Sequence, residues 1–287
     1  MRTYPMVHTD AFTDVLFGGN PTATILEADS LSEQEMKKIA IEMNHSETAF
    51  ILKSRLGDLR LRYFTRTGDE IDFCGHATVG AMIAYVHQEG EMSEGPSAFV
   101  LETNRGLLKI WVEGNTVEME LPEVELVPIS ITHDELEEAF GFPVLDKSRP
   151  LMMDKNNNYL YAAAASFSQL QDLKPDFAGL RAFCEKYKLI IVCLSYPEVF
   201  DKESSLHSRG FAPWVGVPED PFTGSMQGGA YLYAKKQGWI GEKTEIAVEQ
   251  GHIMGRPGKA IVKVADPRKM YLKASGKRFF KTTITLE

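Results

Sequence analysis

LRYFTRTGDEIDFCGHATVGAMIAYVH, Leu61 to His87, is the stretch from which the rest of the chain is read. Leu61 to Thr65 predicts a strand, with aromatic and aliphatic residues separated by polar ones. Thr65 to Asp69 is turn chemistry. From Ala77 the pattern becomes small and apolar at helical spacing, through Gly80, Ala81, Ala84 and Tyr85. The segment is therefore strand, loop, then a helix whose first turn carries Gly75 and His76. Side chains this small let a helix lie deep inside a domain. Its first-turn N–H groups lack carbonyl partners and its dipole is positive there, so an anion is favoured in front of it.

A second stretch repeats the design. PWVGVPEDPFTGSMQGGAYLYAKKQ, Pro213 to Gln237, places an acidic loop (Glu219, Asp220) before Gly224-Ser225-Met226. A Gly/Ala-rich helix follows, with Gly228, Gly229, Ala230, Tyr233 and Ala234. Two internal helices of this unusual composition, each opened by glycine and a side chain able to share a proton, point to one site made twice.

The surrounding elements repeat as well. Helix 33–43, strand 48–53, strand 61–65, central helix 76–87 and hairpin 98–112 are matched by helix 177–188, strand 189–195, strand 208–213, central helix 225–237 and hairpin 244–264. The first helix has Ser32 as its N-cap, Glu35 completing a capping box, and Met36, Ile39, Ala40 and Met43 on its apolar face. Further strands are expected at Thr3 to Val7, Thr22 to Leu26, Val117 to Leu121 and Leu272 to Leu286. Pro122 to Pro128, an acidic stretch bracketed by prolines, is the best boundary. The expected class is α+β in two similar halves, each a curved, mostly antiparallel sheet around a central helix. The first half is 1–127, possibly completed by the C-terminal strand 279–287, and the second is 128–278. Clefts between domains are preferred ligand sites.

Composition excludes several classes. The 287 residues carry a formal net charge of −9, which offers no basic field for nucleic acid. No apolar run is long enough to cross a bilayer, and the N-terminus lacks the apolar core of a signal peptide. The cysteines, Cys74, Cys184 and Cys193, are odd in number and at no metal spacing. They are expected to be buried, and the chain to work in a reducing cytoplasm. His45, His76, Asp72 and Glu70 can be imagined as metal ligands, but no pattern such as His-x-x-x-His joins them. No metal site is expected.

Glu47 lies in His45-Ser46-Glu47-Thr48-Ala49-Phe50-Ile51-Leu52, at the entry of a very apolar strand. There a carboxylate is either exposed and idle, or desolvated into an acid/base. His76 is either a satisfied structural histidine or a proton partner, and the paired motifs favour the second. Asp220, ahead of Pro221, is either a turn carboxylate or part of the site.

These residues together resemble the PhzF-like family, which has the diaminopimelate-epimerase fold. The resemblance rests on Asp10-Ala11-Phe12-Thr13 with Gly19-Asn20-Pro21, on Ser46 to Phe50, on Phe64-Thr65 with Glu70, and on Asp72 to Thr78. It continues through Phe211-Ala212-Pro213, Glu219 to Ser225, and Gln250-Gly251 with Gly255-Arg256-Pro257. It implies a cytoplasmic, homodimeric isomerase that moves a proton on a small cyclic or unsaturated carboxylic acid without metal or organic cofactor. The family's namesake member does this to a dihydro-hydroxyanthranilate in phenazine biosynthesis. By matching motif, Glu47 would be the acid/base, assisted by His76, Asp220 and Ser225. Gly75, Gly224 and Asn20 would bind the substrate between the two halves. The amino-acid racemases of this fold use two cysteines, but here Ser225 stands at the second position, so a two-thiol mechanism is not implied. Arg66 replaces the family's usual proline and Met226 its usual alanine, so the substrate does not carry over. The alternative is a binding or interaction module that keeps the fold without catalysis, for which Glu47 would be superfluous.

Overall fold

The computed structural model describes residues 1–87, 97–266 and 269–287. The chain divides into two compact units, Met1–Glu120 with Lys273–Glu287, and Leu121–Leu272. The class is α+β, with strands predominating.

The first unit begins with β1 (Arg2–Ala11), β2 (Asn20–Ile25), α1 (Glu33–Met43), β3 (Glu47–Leu52) and β4 (Leu59–Thr65). Then come β5 (Glu70–Ile71), α2 (Gly75–Val86), β6 (Ser97–Thr103), β7 (Gly106–Glu113) and β8 (Thr116–Glu120). The sheet is mixed: β2 runs parallel to β3 and β4 to β6, while β1–β2, β3–β4, β6–β7 and β7–β8 are antiparallel. Strand alternation decides what each helix covers. Phe50 and Phe64 pack with Met36, Ile39 and Ala40 of α1 on one face. One residue away, Tyr63 points to the other face and bonds the Thr78 hydroxyl of α2 at 2.7 Å. Strands covered on both faces read as continuous apolar runs, as Ala49 to Ile51 does. Gly80 makes the seating of α2 possible, because a β-carbon there would lie 2.2 Å from the Thr22 methyl.

In the second unit the elements are β9 (Leu126–Pro128), α3 (His133–Phe140), β10 (Met152–Asp154), β11 (Tyr159–Ala163), α4 (Phe167–Asp172) and α5 (Phe177–Tyr187). They continue with β12 (Ile191–Tyr196), β13 (Leu206–Ala212), β14 (Val217–Asp220), α6 (Gln227–Lys236), β15 (Glu245–Gln250) and β16 (Gly258–Asp266). Leu160, Ala162, Val192, Leu194 and Phe211 pack with the apolar faces of α3, α4 and α5. On the opposite face of β11, Tyr161 bonds the Met226 carbonyl at 3.1 Å, just before α6. The last strand, β17 (Lys269–Leu286), leaves this unit at Leu272 and enters the first, where it pairs antiparallel with β1 from Gly276 to Leu286.

Several boundaries differ from expectation. Strand β1 extends to Ala11, because β2 and β17 pair with it along that length. The second central helix opens as a 3-10 turn, Gly224–Met226, before α6. The expected acidic loop at Glu219-Asp220 is strand β14. Its Glu219 turns back to the Arg209 guanidinium on β13, which donates from Nε and Nη2 at 2.8 Å each.

Candidate functional site

The first unit gathers four polar side chains at the start of α2. Glu47 opens β3, held there by pairing with Thr65 and by the Thr22 hydroxyl, which donates to the Glu47 carbonyl at 3.0 Å. Its side chain shares a face with Ala49 and Ile51. His76, in the first turn of α2, is 6 % exposed. Its Nε2 lies 3.3 Å from Glu47 Oε2 and 3.3 Å from Ser46 Oγ. Its Nδ1 lies 3.3 Å from Cys74 Sγ, which is also 3.7 Å from Glu47 Oε2. The Thr78 hydroxyl donates to the Cys74 carbonyl at 2.7 Å, tying the helix start to Tyr63. Burial pushes the Tyr63 hydroxyl well above its ordinary value, so it serves as a neutral brace.

Sequence reasoning placed Glu47 and His76 in the site, and the structure brings them together. It did not foresee Ser46 and Cys74 as their neighbours. Cys74 is buried as expected, but its sulfur lies against both. The imagined ligand set His45, His76, Asp72 and Glu70 is not assembled as a metal-binding group among the described residues. Glu70 accepts from Arg62 Nε and Nη2 at 2.7 Å each, and the His45 ring meets His8 edge-on. The groups with metal-ligand spacing are instead Glu47, Cys74, His76 and His207, Glu249, His252. Linear spacing shows neither.

The second unit builds its own arrangement around the 3-10 turn. Ser225 Oγ lies 3.0 Å from Tyr159 Oη, a partner that the sequence did not reveal. The Asp220 carboxylate accepts the Thr223 hydroxyl at 2.6 Å. Gln250 donates to the Asp220 carbonyl at 2.8 Å and accepts from the Thr223 N–H at 3.1 Å and Gln227 Nε2 at 2.9 Å. These bonds fix the turn that presents Gly224 and Ser225. Gly251 is obligatory beside them: its φ is +86°, and a β-carbon would lie 2.3 Å from the Arg256 carbonyl oxygen.

Asn20 is buried at the start of β2, opposite Ala11. Gly19 before it has φ +51°, and a β-carbon there would meet the Ala11 oxygen at 1.9 Å. Gly75 has open space where a side chain would begin.

Helix capping separates two kinds of helix. Ser32, Thr132, Ser166 and Asp176 cap α1, α3, α4 and α5 through their side chains. The start of α2 and the turn leading into α6 have no side-chain cap. Capping side chains ordinarily satisfy one or two of the first-turn donors. At α2 no N-cap side chain takes those donors, and the carboxylate–imidazole pair lies beside the helix start.

A family model described as phenazine biosynthesis-like protein matches residues 9–279. The chain is similar to the uncharacterized isomerase YfhB of Bacillus subtilis, 29% identical over 274 residues, covering 93% of this chain and 92% of that one. It is similar to the trans-2,3-dihydro-3-hydroxyanthranilate isomerase of Pseudomonas chlororaphis, 32% identical over 254 residues and covering 86% of each. Among solved structures, the phenazine biosynthesis protein of the PhzF family from Bacillus anthracis superposes with a TM-score of 0.87 at 26% identity, over all of both chains. A match that runs almost from end to end places the chain in the phenazine biosynthesis-like, PhzC-PhzF, family.

Proposed function

We propose that the protein is an isomerase that moves a proton on a small cyclic or unsaturated carboxylic acid, using Glu47 as its acid/base and no metal or organic cofactor. The observation that carries this is Glu47 Oε2 at 3.3 Å from His76 Nε2, at the uncapped start of α2. A proton leaving a carbon next to an unsaturated acid needs a positioned base and donors for the charge that builds on the substrate. Glu47 supplies the first. The first-turn amides of α2 supply the second, and the glycine at 75 lets a carboxylate approach them. His76 orients the carboxylate and shares its proton between removal and return. Ser225, paired with Tyr159, is the corresponding polar group of the second unit, and both arrangements are needed for turnover. Asp220 acts through Thr223 by holding the turn that carries Ser225, while Asn20 binds substrate. The relatives' names support the isomerase class, and one of them names the trans-2,3-dihydro-3-hydroxyanthranilate reaction for that protein. The enzyme is proposed to act in the cytoplasm as a homodimer, with no nucleic-acid or membrane partner. No described helix is long and apolar enough to cross a membrane.

Glu47→Gln keeps size and polarity but removes the acid/base function of the carboxylate. General acid–base catalysis contributes about 10²–10⁴-fold, so turnover falls by that order. The assay is deuterium incorporation from solvent into a panel of unsaturated and cyclic acids, run beside a thermal melt. A variant that melts like wild type and exchanges deuterium at the wild-type rate would remove Glu47 from the mechanism.

A further inference from the structure

We infer that Tyr159 is a positioning residue for the isomerase proposed above: its phenol donates to Ser225 Oγ, so that the serine O–H is aimed at an oxygen of the bound acid. The inference rests on that reading of the function. It starts from two hydroxyl pairs, one in each unit. In the first unit Tyr63 Oη lies 2.7 Å from Thr78 Oγ1, and the Thr78 hydroxyl donates to the Cys74 carbonyl at 2.7 Å. A carbonyl only accepts and a hydroxyl has one proton, so the direction is fixed: Tyr63 donates to Thr78, and Thr78 to the backbone.

In the second unit Tyr159 Oη lies 3.0 Å from Ser225 Oγ. Here no backbone carbonyl ends the chain, since Tyr159 Oη is the one hydrogen-bond partner of Ser225 Oγ among the described residues. A phenol is a stronger acid than an alcohol, so tyrosine is the better donor of the pair. Ser225 then keeps its own proton for an acceptor that comes with the substrate. The oxygen that gains charge as a proton leaves the neighbouring carbon is such an acceptor. Linked hydroxyls polarise one another, so the bond to the substrate strengthens as that charge grows. Both hydroxyls keep their protons throughout, and the proton that moves stays with Glu47.

The turn that carries Ser225 is held firmly enough for this role. Tyr161, two residues along β11 and on the same face, donates to the Met226 carbonyl at 3.1 Å. It is fully buried, and Gly229 of α6 packs directly on its ring. Two neighbouring phenols thus grip successive residues of the 3-10 turn, one through the backbone and the other through the side chain. Tyr161 sets where the turn lies, and Tyr159 sets where the Ser225 proton points.

The test compares Tyr159→Phe, Ser225→Ala and the double variant in the solvent-deuterium assay, on whichever acid of the panel wild type exchanges fastest. We expect Tyr159→Phe to lower kcat by about tenfold with KM within about twofold, because the polarisation matters most as charge develops. Ser225→Ala should lose about 10²-fold. Adding Tyr159→Phe to it should change nothing further, since the tyrosine acts only through the serine. A Tyr159→Phe enzyme with wild-type kcat, or a loss that multiplies fully with that of Ser225→Ala, overturns the role. A readout that needs neither turnover nor Tyr159→Phe is carbon-13 NMR of protein labelled at the tyrosine Cζ. In Ser225→Ala the resonance of the bonded tyrosine should move, and a tyrosine spectrum identical to wild type overturns the pair. A wild type that exchanges no deuterium with any acid of the panel sinks the isomerase reading and this role with it. An active wild type with an indifferent Tyr159→Phe sinks the role alone.

Discussion

Replacing Gly229 by alanine tests how the central helix of the second unit is seated. A β-carbon there would lie 2.1 Å from Tyr161 Oη, 2.2 Å from Cζ and 2.7 Å from Cε2. Comfortable contact requires about 3.5 Å, so the ring or the helix must retreat by about 1 Å or more. The ring has little room: Tyr161 is fully buried, its hydroxyl donates to the Met226 carbonyl, and it lies beside Tyr233 with ring centres 6.5 Å apart. Overpacking of this kind costs about 1–3 kcal/mol. Losing the tyrosine hydrogen bond adds about 1 kcal/mol. Alanine's better helix propensity returns at most about 1 kcal/mol. The net expectation is a loss of about 1–3 kcal/mol, measured as a lower midpoint in urea unfolding with an unchanged slope. At about 2–4 °C per kcal/mol, the melting temperature falls by about 2–12 °C. Gly75→Ala is the internal comparison, since no atom lies within 4 Å of its β-carbon and stability should hold. A Gly229→Ala protein as stable as wild type would refute the close seating of α6 on Tyr161.

Two further outcomes follow from the buried charges. Arg209, only 4 % exposed, donates to both Glu219 oxygens and from Nη1 to the carbonyls of Leu170 and Leu173 at 2.8 and 2.9 Å. Arg209→Met strands all three acceptors and should cost about 3–5 kcal/mol in urea unfolding, with Glu219→Leu in the same chain restoring part of it. A loss below about 1 kcal/mol would mean the fork is not structural. Stability should also fall in acid. Burial holds the His252 imidazole below its usual 6.5. Burial of Glu249 pushes its carboxyl up, but the His207 imidazole and the Phe200 and Asp201 amides outweigh this and hold it below the usual 4.5. Both groups bind protons more readily in the unfolded chain, so their stabilisation is complete above about pH 6.5. It erodes first through the His252 window and then, below about pH 4.5, through that of Glu249. Glu249→Gln should flatten the lower step of a stability–pH curve, and an unchanged curve counts against it.

Legibility from sequence tracked the range of the interactions. Helix α1 declares itself within twelve residues, because Ser32 and Glu35 cap it and Met36, Ile39 and Ala40 mark its buried stripe. The helix α2 is equally plain from its small residues. Strand β14 was hidden, because Glu219 looks like a loop acid until Arg209, ten residues earlier, crosses to it from the neighbouring strand. The two- and three-residue strands β5, β9 and β10 and the six-residue α4 are too short for a period to show. Glu47 and His76 stood out by chemical type. Tyr159 did not, being 66 residues from Ser225. Cys74 announced its burial but not its company, because the carboxylate it touches lies 27 residues upstream.

The crossing of β17 from one unit to the other has a consequence for the chain as it is made. Arg2 pairs with Leu286, so the first unit cannot close until residues 273–287 have been made. Residues 121–272, by contrast, form one unbroken segment. At about 5–20 residues per second, that segment takes about 8–30 s to emerge. Throughout that interval β1 lacks its β17 partner, leaving one edge of backbone donors and acceptors open to any passing strand. The order of completion is thus reversed along the chain: what is synthesised first finishes last, and the residues around Glu47 and His76 wait longest for the sheet that steadies them.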